Sequence, residues 1–326
     1  MNNIDILYTC NDAYFPHMLT SICSLMENSQ KAIINANIIV EDLTADNFQK
    51  LELLQELYPN LRVSIHPISC IMDKLNKYDI PTWRGTKVAN ARLFARDIFQ
   101  DSDKMLYLDS DTIILNPLDN VFNLKINSPV AAVKEFSVPK HMKGKVATYY
   151  NSGVLLFDFN KWDESECSDR LYSFSRKHKD QLIYPDQDLL NLAFDNQIDT
   201  LSVNYNIHPL VYYMNRHNIL AKNMYSKNEN FYSHSEVKES LETPVVLHLL
   251  EYLTTRTWEK NRIHPYNEFY DSYRKIWDSN YKKEPASSIL ASIPGISLLK
   301  AVSVTHMDDE KSSKIKAKIK LTQKCE

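Results

Sequence analysis

Met105-Leu106-Tyr107-Leu108-Asp109-Ser110-Asp111-Thr112-Ile113-Ile114-Leu115 decides how this chain is read. Two apolar runs, each suited to a short buried strand, flank a polar triplet with a carboxylate at either end. Carboxylates one residue apart supply hard oxygen ligands that can share a divalent cation of the Mn²⁺ or Mg²⁺ kind. The spacing alone carries little, because Asp101/Asp103 and Asp186/Asp188 repeat it. Context sets Asp109/Asp111 apart: this pair alone follows one apolar strand and precedes another. In open α/β sheets, ligands gather outside the carboxyl ends of the strands. A plain polar turn between strands shares the pattern, so the rest of the chain has to decide.

Working outward, residues 4–8 form an apolar run that ends in Thr9-Cys10-Asn11-Asp12. Pro16 then opens a helical pattern through Met18, Leu19, Ile22, Leu25 and Met26, at spacings of three and four. Residues 36–40 read as a second strand. Thr44 can cap a helix whose apolar face is Phe48, Leu51, Leu54 and Leu57. Residues 62–68 read as a third strand, and a helix over 88–99 with Leu93 and Phe94 inward precedes the central stretch. Beyond it, 130–133 and 154–159 read as strands and 160–178 and 186–195 as helices. An apolar run over 244–250 and an aromatic-rich helix over 265–279 follow. Strands separated by helices of this length imply βαβ units and an α/β fold with a mostly parallel sheet.

Composition excludes several classes. The formal net charge of −3 carries no nucleic-acid signature. With 4 glycines, neither GxGxxG nor GxxxxGK[ST] is present, which argues against a dinucleotide-binding Rossmann loop or a P-loop. Cys10, Cys23, Cys70, Cys167 and Cys325 are scattered and show no CxxC spacing, as expected of a reduced, cytoplasmic chain. The start lacks the basic stretch and long apolar core of a leader, and no run of 18 apolar residues suggests a membrane span. After Glu284 the character changes: 287–304 is small and apolar, and 311–320 is basic with spaced isoleucines. The expected organisation is one catalytic domain over 1–284 and a C-terminal basic tail over 285–326.

A metal-binding Asp pair after a strand fits two chemistries: nucleotide-sugar transfer, or a phosphatase whose first Asp attacks phosphorus. Such phosphatases usually carry Thr or Val two residues beyond the second Asp, where Ile113 stands here. They also place the pair near the N-terminus.

Five segments in order decide between them. Ile6-Leu7-Tyr8-Thr9-Cys10-Asn11-Asp12, Ala91-Arg92-Leu93, Leu106-Tyr107-Leu108-Asp109-Ser110-Asp111, Tyr150-Asn151-Ser152-Gly153-Val154-Leu155-Leu156 and Asp186-Gln187-Asp188-Leu189-Leu190-Asn191 together resemble the family 8 retaining glycosyltransferases. The resemblance runs from Ile4 to about Tyr273 and implies a GT-A fold, a single Rossmann-like α/β domain. It implies that Asp109, Asp111 and His248 bind the metal, Mn²⁺ or Mg²⁺. Thr9, Asn11 and Asp12 would hold the nucleotide base and ribose, Arg92 and the Asp109-Ser110 turn the donor's phosphates or sugar, and Asn151 and Ser152 the sugar pocket. Asp186 and Gln187 would flank the transferred sugar as the catalytic pair. Many relatives carry an acid where Asn11 stands.

One segment departs from the pattern. The family usually runs His-x-x-Gly-x-x-Lys-Pro-Trp from its metal-binding histidine. Here Glu251 replaces the glycine, Thr257 the proline, and two residues are added before Trp258. Arg256 can replace the lysine that meets the diphosphate, since guanidinium pairs well with phosphate. Glu251 would repel a diphosphate if it pointed inward. The resemblance therefore implies a hexosyltransferase taking UDP-glucose or UDP-galactose to a glycan or lipid-linked acceptor in bacterial surface glycan synthesis. The alternatives are an inactive nucleotide-sugar-binding relative and a metal-dependent phosphatase. The acceptor pocket is expected in residues 207–240. The tail is expected to meet an anionic membrane surface, giving a peripheral location at the inner face of the plasma membrane.

Overall fold

A computed structural model of the chain describes residues 2–212, 225–251, 256–260 and 264–285. The expected basic tail beyond residue 285, and residues 213–224 of the expected acceptor segment, lie outside the described residues.

The described strands are β1 (Asn3–Asn11), β2 (Ile33–Glu41), β3 (Leu61–Pro67), β4 (Lys104–Leu108), β5 (Thr112–Ile114), β6 (Val130–Lys134), β7 (Ser137–Pro139), β8 (Tyr150–Asp158), β9 (Ile198–Thr200), β10 (Tyr225–Lys227) and β11 (Val246–His248). Seven form one sheet in the order β3-β2-β1-β4-β8-β6-β9. Every strand of it points one way except β8, which runs against both β4 and β6. The expected α/β architecture with a mostly parallel central sheet is the one observed.

Alternation along β1 and β4 builds the layers. Ile4, Ile6, Tyr8 and Cys10 face one side together with Leu106 and Leu108, while Leu7 faces the other with Met105 and Tyr107. All are buried, as strands covered on both faces require. The first face carries helices Phe15–Asn28, Ala45–Leu57 and Asn267–Trp277. The second carries Cys167–His178 and Pro185–Ala193. At roughly 1.5–3 kcal/mol per fully buried large apolar side chain, these two layers outweigh any local propensity of the strands.

Several expected elements differ in detail, each for a local reason. Thr44 does cap helix Ala45–Leu57, but Asn47, Leu51 and Leu54 face inward, while Phe48 and Leu57 are exposed. Asn47 rotates the helix because its amide donates to the Asp12 carbonyl at 2.9 Å and carboxylate at 2.8 Å. The helix expected over 160–178 is two, Phe159–Glu164 and Cys167–His178, divided by Glu166 at φ 49°. A left-handed residue cannot continue a right-handed helix. The helix expected over 88–99 is a 3₁₀ stretch, Val88–Phe94, followed by one α-turn, Ala95–Ile98, although Leu93 and Phe94 are buried as expected. Its polar side chains point inward and bind backbone, Asn90 to the Pro81 carbonyl at 2.9 Å and Arg92 to the Ala89 carbonyl at 2.8 Å.

The runs 112–115 and 244–250 do not enter the main sheet. They pair with each other as β5 and β11, with His248 opposite Thr112. Helix His234–Glu242 was not anticipated, although Ser233 and Glu236 form the capping box that its sequence spells out. β7, β9 and β10 were also unforeseen.

The topology makes the crevice. From β1 the chain passes to β2 and β3 on one side, then crosses to β4 on the other. The carboxyl ends of β1 and β4 are therefore a switch point where connections diverge.

Candidate active site

Three distant segments meet at that point. The Asp109 N–H donates to the Gly153 carbonyl at 2.8 Å, because antiparallel β8 begins where β4 ends. The Leu249 N–H donates to the Asp111 carbonyl at 2.8 Å, continuing the β5–β11 ladder and bringing His248 alongside. His248 Nε2 lies 3.4 Å from Asp109 Oδ2 and 3.2 Å from Asp111 Oδ1. One ligand atom from each residue falls within 4.8 Å of the others, so the three could hold a metal ion.

The surroundings of His248 orient it for that purpose. Its ring is 1% exposed, and Nε2 has no hydrogen-bond partner. Its Nδ1 is 2.9 Å from Asn206 Oδ1. The Asn206 amide N–H donates to Asn151 Oδ1 at 2.7 Å, the Gly153 N–H donates to the same oxygen at 2.8 Å, and the Asn151 amide N–H donates to Glu135 at 2.8 Å. This chain of amides leaves Asn206 only its oxygen for the ring, so Nδ1 carries the proton and Nε2 faces the carboxylates. A second group that fixes the tautomer of a histidine ligand is a regular feature of metal sites. Burial opposes a charge on the ring, but Asp111 and then Asp109 outweigh it and push the imidazole up to about 10. Nε2 therefore takes a second proton unless a cation replaces it. Gly153 makes room for the cluster: a Cβ there would stand 2.7 Å from His248 Nδ1 and 2.8 Å from Asp109 Oδ2.

Arg92 is not a surface residue. It is 6% exposed, with Nη1 2.8 Å from Asp109 Oδ1 and Nε 3.4 Å from Asp186 Oδ2. Nη1 also donates to the Ser152 carbonyl at 2.9 Å, and the guanidinium lies 4.3 Å over the Tyr107 ring. The Tyr107 hydroxyl donates to Asp109 Oδ1 at 2.5 Å and sits 3.1 Å from the Thr9 hydroxyl. Burial works to raise the Asp109 carboxyl, but Arg92 and His248 overcome it and keep it ionised. Burial raises the Asp186 carboxyl, with Arg92 opposing. Asp109, Asp111 and Asp186 thus gather around a single guanidinium, an acidic setting that suits a cation.

Gln187 is held at both ends. Its Oε1 accepts from the Ser152 N–H at 3.0 Å, and its Nε2 donates to the Tyr149 hydroxyl at 3.1 Å. That hydroxyl donates to the fully buried Asp188 at 2.6 Å. The Ser152 hydroxyl donates to Asp186 at 2.8 Å.

These groups line a cavity of about 710 Å³. Thr9, Asn11, Arg92, Asp109, Ser110, Asp111, Asn151, Ser152, Asp186, Gln187, His248 and Arg256 all reach it. Asp12 does not. Its carboxylate accepts from the Thr44 N–H at 2.8 Å, the Thr44 hydroxyl at 2.9 Å and the Asn47 amide at 2.8 Å. It ties the exit turn of β1 to the next helix, so the expected nucleotide contact at this turn falls to Thr9 and Asn11, which do reach the cavity.

Some cavity features escaped the sequence. Glu251 lines the cavity but is not an isolated charge: Oε1 is 3.3 Å from Arg84 Nη1 and accepts from Arg256 Nε. Arg84 sits at φ 50° beside Gly85 at φ 85°, in a turn that no periodicity marks. Asn206 likewise carries no local signal. Gly153 does, because glycine inside a strand often marks a close approach.

Comparison with known proteins agrees with this geometry. The sequence profile of glycosyl transferase family 8 matches residues 5–261. General stress protein A of Bacillus subtilis is 25% identical over 293 residues, covering 86% of this chain and 96% of that protein. The lipopolysaccharide 1,2-glucosyltransferase of Escherichia coli is 26% identical over 212 residues, covering 62% of each. Among solved structures, the galactosyltransferase LgtC in complex with donor and acceptor sugar analogues superposes with a TM-score of 0.65 at 17% identity, over 91% of this chain and all of that one. GlyE of Streptococcus pneumoniae gives 0.59 at 21% identity, over 87% of this chain and 66% of that one. With the family profile spanning most of the described chain, and the GT-A architecture shared with these structures, the protein is a transferase of glycosyltransferase family 8.

Proposed function

We propose that the protein transfers a hexose, glucose or galactose, from a UDP-sugar to a glycan acceptor with retention of configuration, assisted by Mn²⁺. The observation that carries this reading is the buried Nε2 of His248, which converges with Asp109 and Asp111 at 3.4 and 3.2 Å across the floor of the cavity. A divalent cation held by these three residues would neutralise the donor's diphosphate and stabilise it as the leaving group.

The protein's own groups supply the remainder. Thr9 and Asn11 line the cavity at the carboxyl end of β1, where they would meet the nucleoside. Arg92 and Arg256 add positive charge for the phosphates, and Asn151, Ser152 and Asp186 offer hydrogen bonds to the sugar. Gln187 is fixed by Ser152 and Tyr149, so its amide can be aimed at the anomeric centre without rotating. A neutral amide is a poor nucleophile, which favours a same-face displacement: the bond from C1 to phosphate oxygen breaks, the acceptor oxygen bonds to C1, and its proton passes to the departing phosphate.

NMR-monitored hydrolysis of a UDP-sugar panel, with Mn²⁺ and with EDTA, beside Asp111→Asn, tests the reading. Slow cation-dependent release of one sugar, lost in the variant, supports it and names the donor. Absence of both release and UDP binding sinks it. For the tail, the basic run 311–320 suits an anionic membrane surface and a lipid-linked acceptor. Pelleting with phosphatidylserine vesicles, with and without the residues after Glu284, tests this; equal binding would count against it.

A further inference from the structure

Beyond the cation site, the same cavity contains a cluster with opposite demands. Arg84 and Arg256 come from two separate loops, and both line the cavity. Their guanidinium groups converge on a single carboxylate oxygen, Glu251 Oε1. Arg84 approaches it with Nη1 at 3.3 Å and Nη2 at 3.5 Å, and Arg256 donates to it through Nε. Arg256 is further held over the rings of Tyr14 at 5.3 Å and Trp258 at 5.5 Å. Glu251 lies three residues beyond His248, at the exit of β11. Two guanidinium groups aimed at one anionic oxygen form the arrangement that binds phosphate, and guanidinium suits carboxylate and phosphate alike.

We infer that Glu251 is an internal counter-anion that occupies the phosphate-binding arginines in the donor-free protein and is displaced from them by the diphosphate of the donor. This rests on the reading of the cavity as a nucleotide-sugar site and assigns Glu251 a positioning role within it. The carboxylate keeps Arg84 and Arg256 together and facing inward before the donor arrives. It also competes for them, so it weakens diphosphate binding and speeds the departure of UDP after transfer.

Isothermal titration of UDP, inorganic pyrophosphate and uridine, each with MnCl₂, into the full chain separates the outcomes. Wild type, Glu251→Gln, Arg256→Gln and the double variant Glu251→Gln/Arg256→Gln are compared. Glu251→Gln keeps the side chain's shape and removes its charge. It should tighten UDP and pyrophosphate by roughly fivefold, about 1 kcal/mol at 1.4 kcal/mol per tenfold, and leave uridine unchanged. That gain should shrink in the Arg256→Gln background, and UDP should leave Glu251→Gln more slowly in stopped flow. Unchanged or weaker UDP binding by a folded Glu251→Gln, or an equal gain for uridine, would overturn the counter-anion role while leaving the transferase reading standing. Loss of UDP binding in wild type and every variant would overturn both. A melting temperature within a few degrees of wild type confirms that each variant is folded.

Discussion

Replacing Gly153 by Ala adds one methyl group at the most crowded point of the proposed cation site. Gly153 has no positive φ, so its backbone accepts alanine and the conflict is purely steric. The new Cβ would stand 2.7 Å from His248 Nδ1 and 2.8 Å from Asp109 Oδ2, and closer still to His248 Cε1. Ordinary contact begins near ~3.5 Å, so these atoms must retreat by at least ~0.7 Å. Neither can do so freely. The imidazole is tethered to Asn206 at 2.9 Å, and Asp109 is gripped by Arg92 at 2.8 Å and Tyr107 at 2.5 Å. Metal–ligand distances tolerate about 0.2 Å, so the displacement takes two of the three ligands out of range. Overpacking costs about 1–3 kcal/mol of stability, which a domain of this size survives. The expected result is a folded protein whose Mn²⁺ affinity falls by roughly 100-fold or more, the upper end of what losing a supporting group does. Calorimetric titration of Mn²⁺ beside a thermal melt reads both quantities. A folded Gly153→Ala that binds Mn²⁺ as wild type does would refute the site as drawn.

Three further outcomes follow from the same network. Asn206→Leu removes the acceptor that fixes the His248 tautomer, and Mn²⁺ affinity should fall roughly 10- to 100-fold with Asp109 and Asp111 untouched; unchanged affinity would show that the ring needs no such tether. Arg92→Met strips Asp109 and Asp186 of their buried partner and should cost about 3–5 kcal/mol in urea unfolding. The loss should be smaller with MnCl₂ present, because a cation gives Asp109 a new partner; an equal loss with and without Mn²⁺ would contradict this. His248 is raised from 6.5 to about 10, so in the metal-free protein its contribution to stability is full below about 6.5 and lost as pH rises through about 10. A cation must displace that proton. Titration near pH 7 in buffers of different ionisation enthalpy should therefore count about one proton released per Mn²⁺, and a count near zero would refute the charge assignment.

Much of the molecule was legible in one dimension because its determinants are local or periodic. The apolar runs of β1 and β4 are dense enough that burial on both sheet faces is their one stable use. Thr44 announces a helix start whatever surrounds it. Asp109 and Asp111 stand out because a strand ends just before them, a fact of sequence order. Other features depended on partners far away in the chain. The orientation of helix Ala45–Leu57 turned on the bonds between Asn47 and Asp12, so the hydrophobic pattern named the wrong face for Phe48 and Leu57. The runs that became β5 and β11 look like main-sheet strands until their pairing is seen.

The sequence by itself determined the α/β class, the apolar runs that become the central strands, and the chemical types gathered at the strand ends. Those follow from side-chain period and from which groups can bind a cation or a phosphate. Tertiary structure alone decided that Asn206 sets the tautomer of His248, that Asp12 faces a helix instead of the cavity, and that Arg84 and Arg256 neutralise Glu251. Each of these depends on angstrom-scale placement of side chains: Asn206 lies 42 residues from His248, Asp12 35 from Asn47 and Arg84 167 from Glu251, while Arg256, five residues from Glu251, meets it at no helix or strand spacing, and no local pattern encodes such a contact.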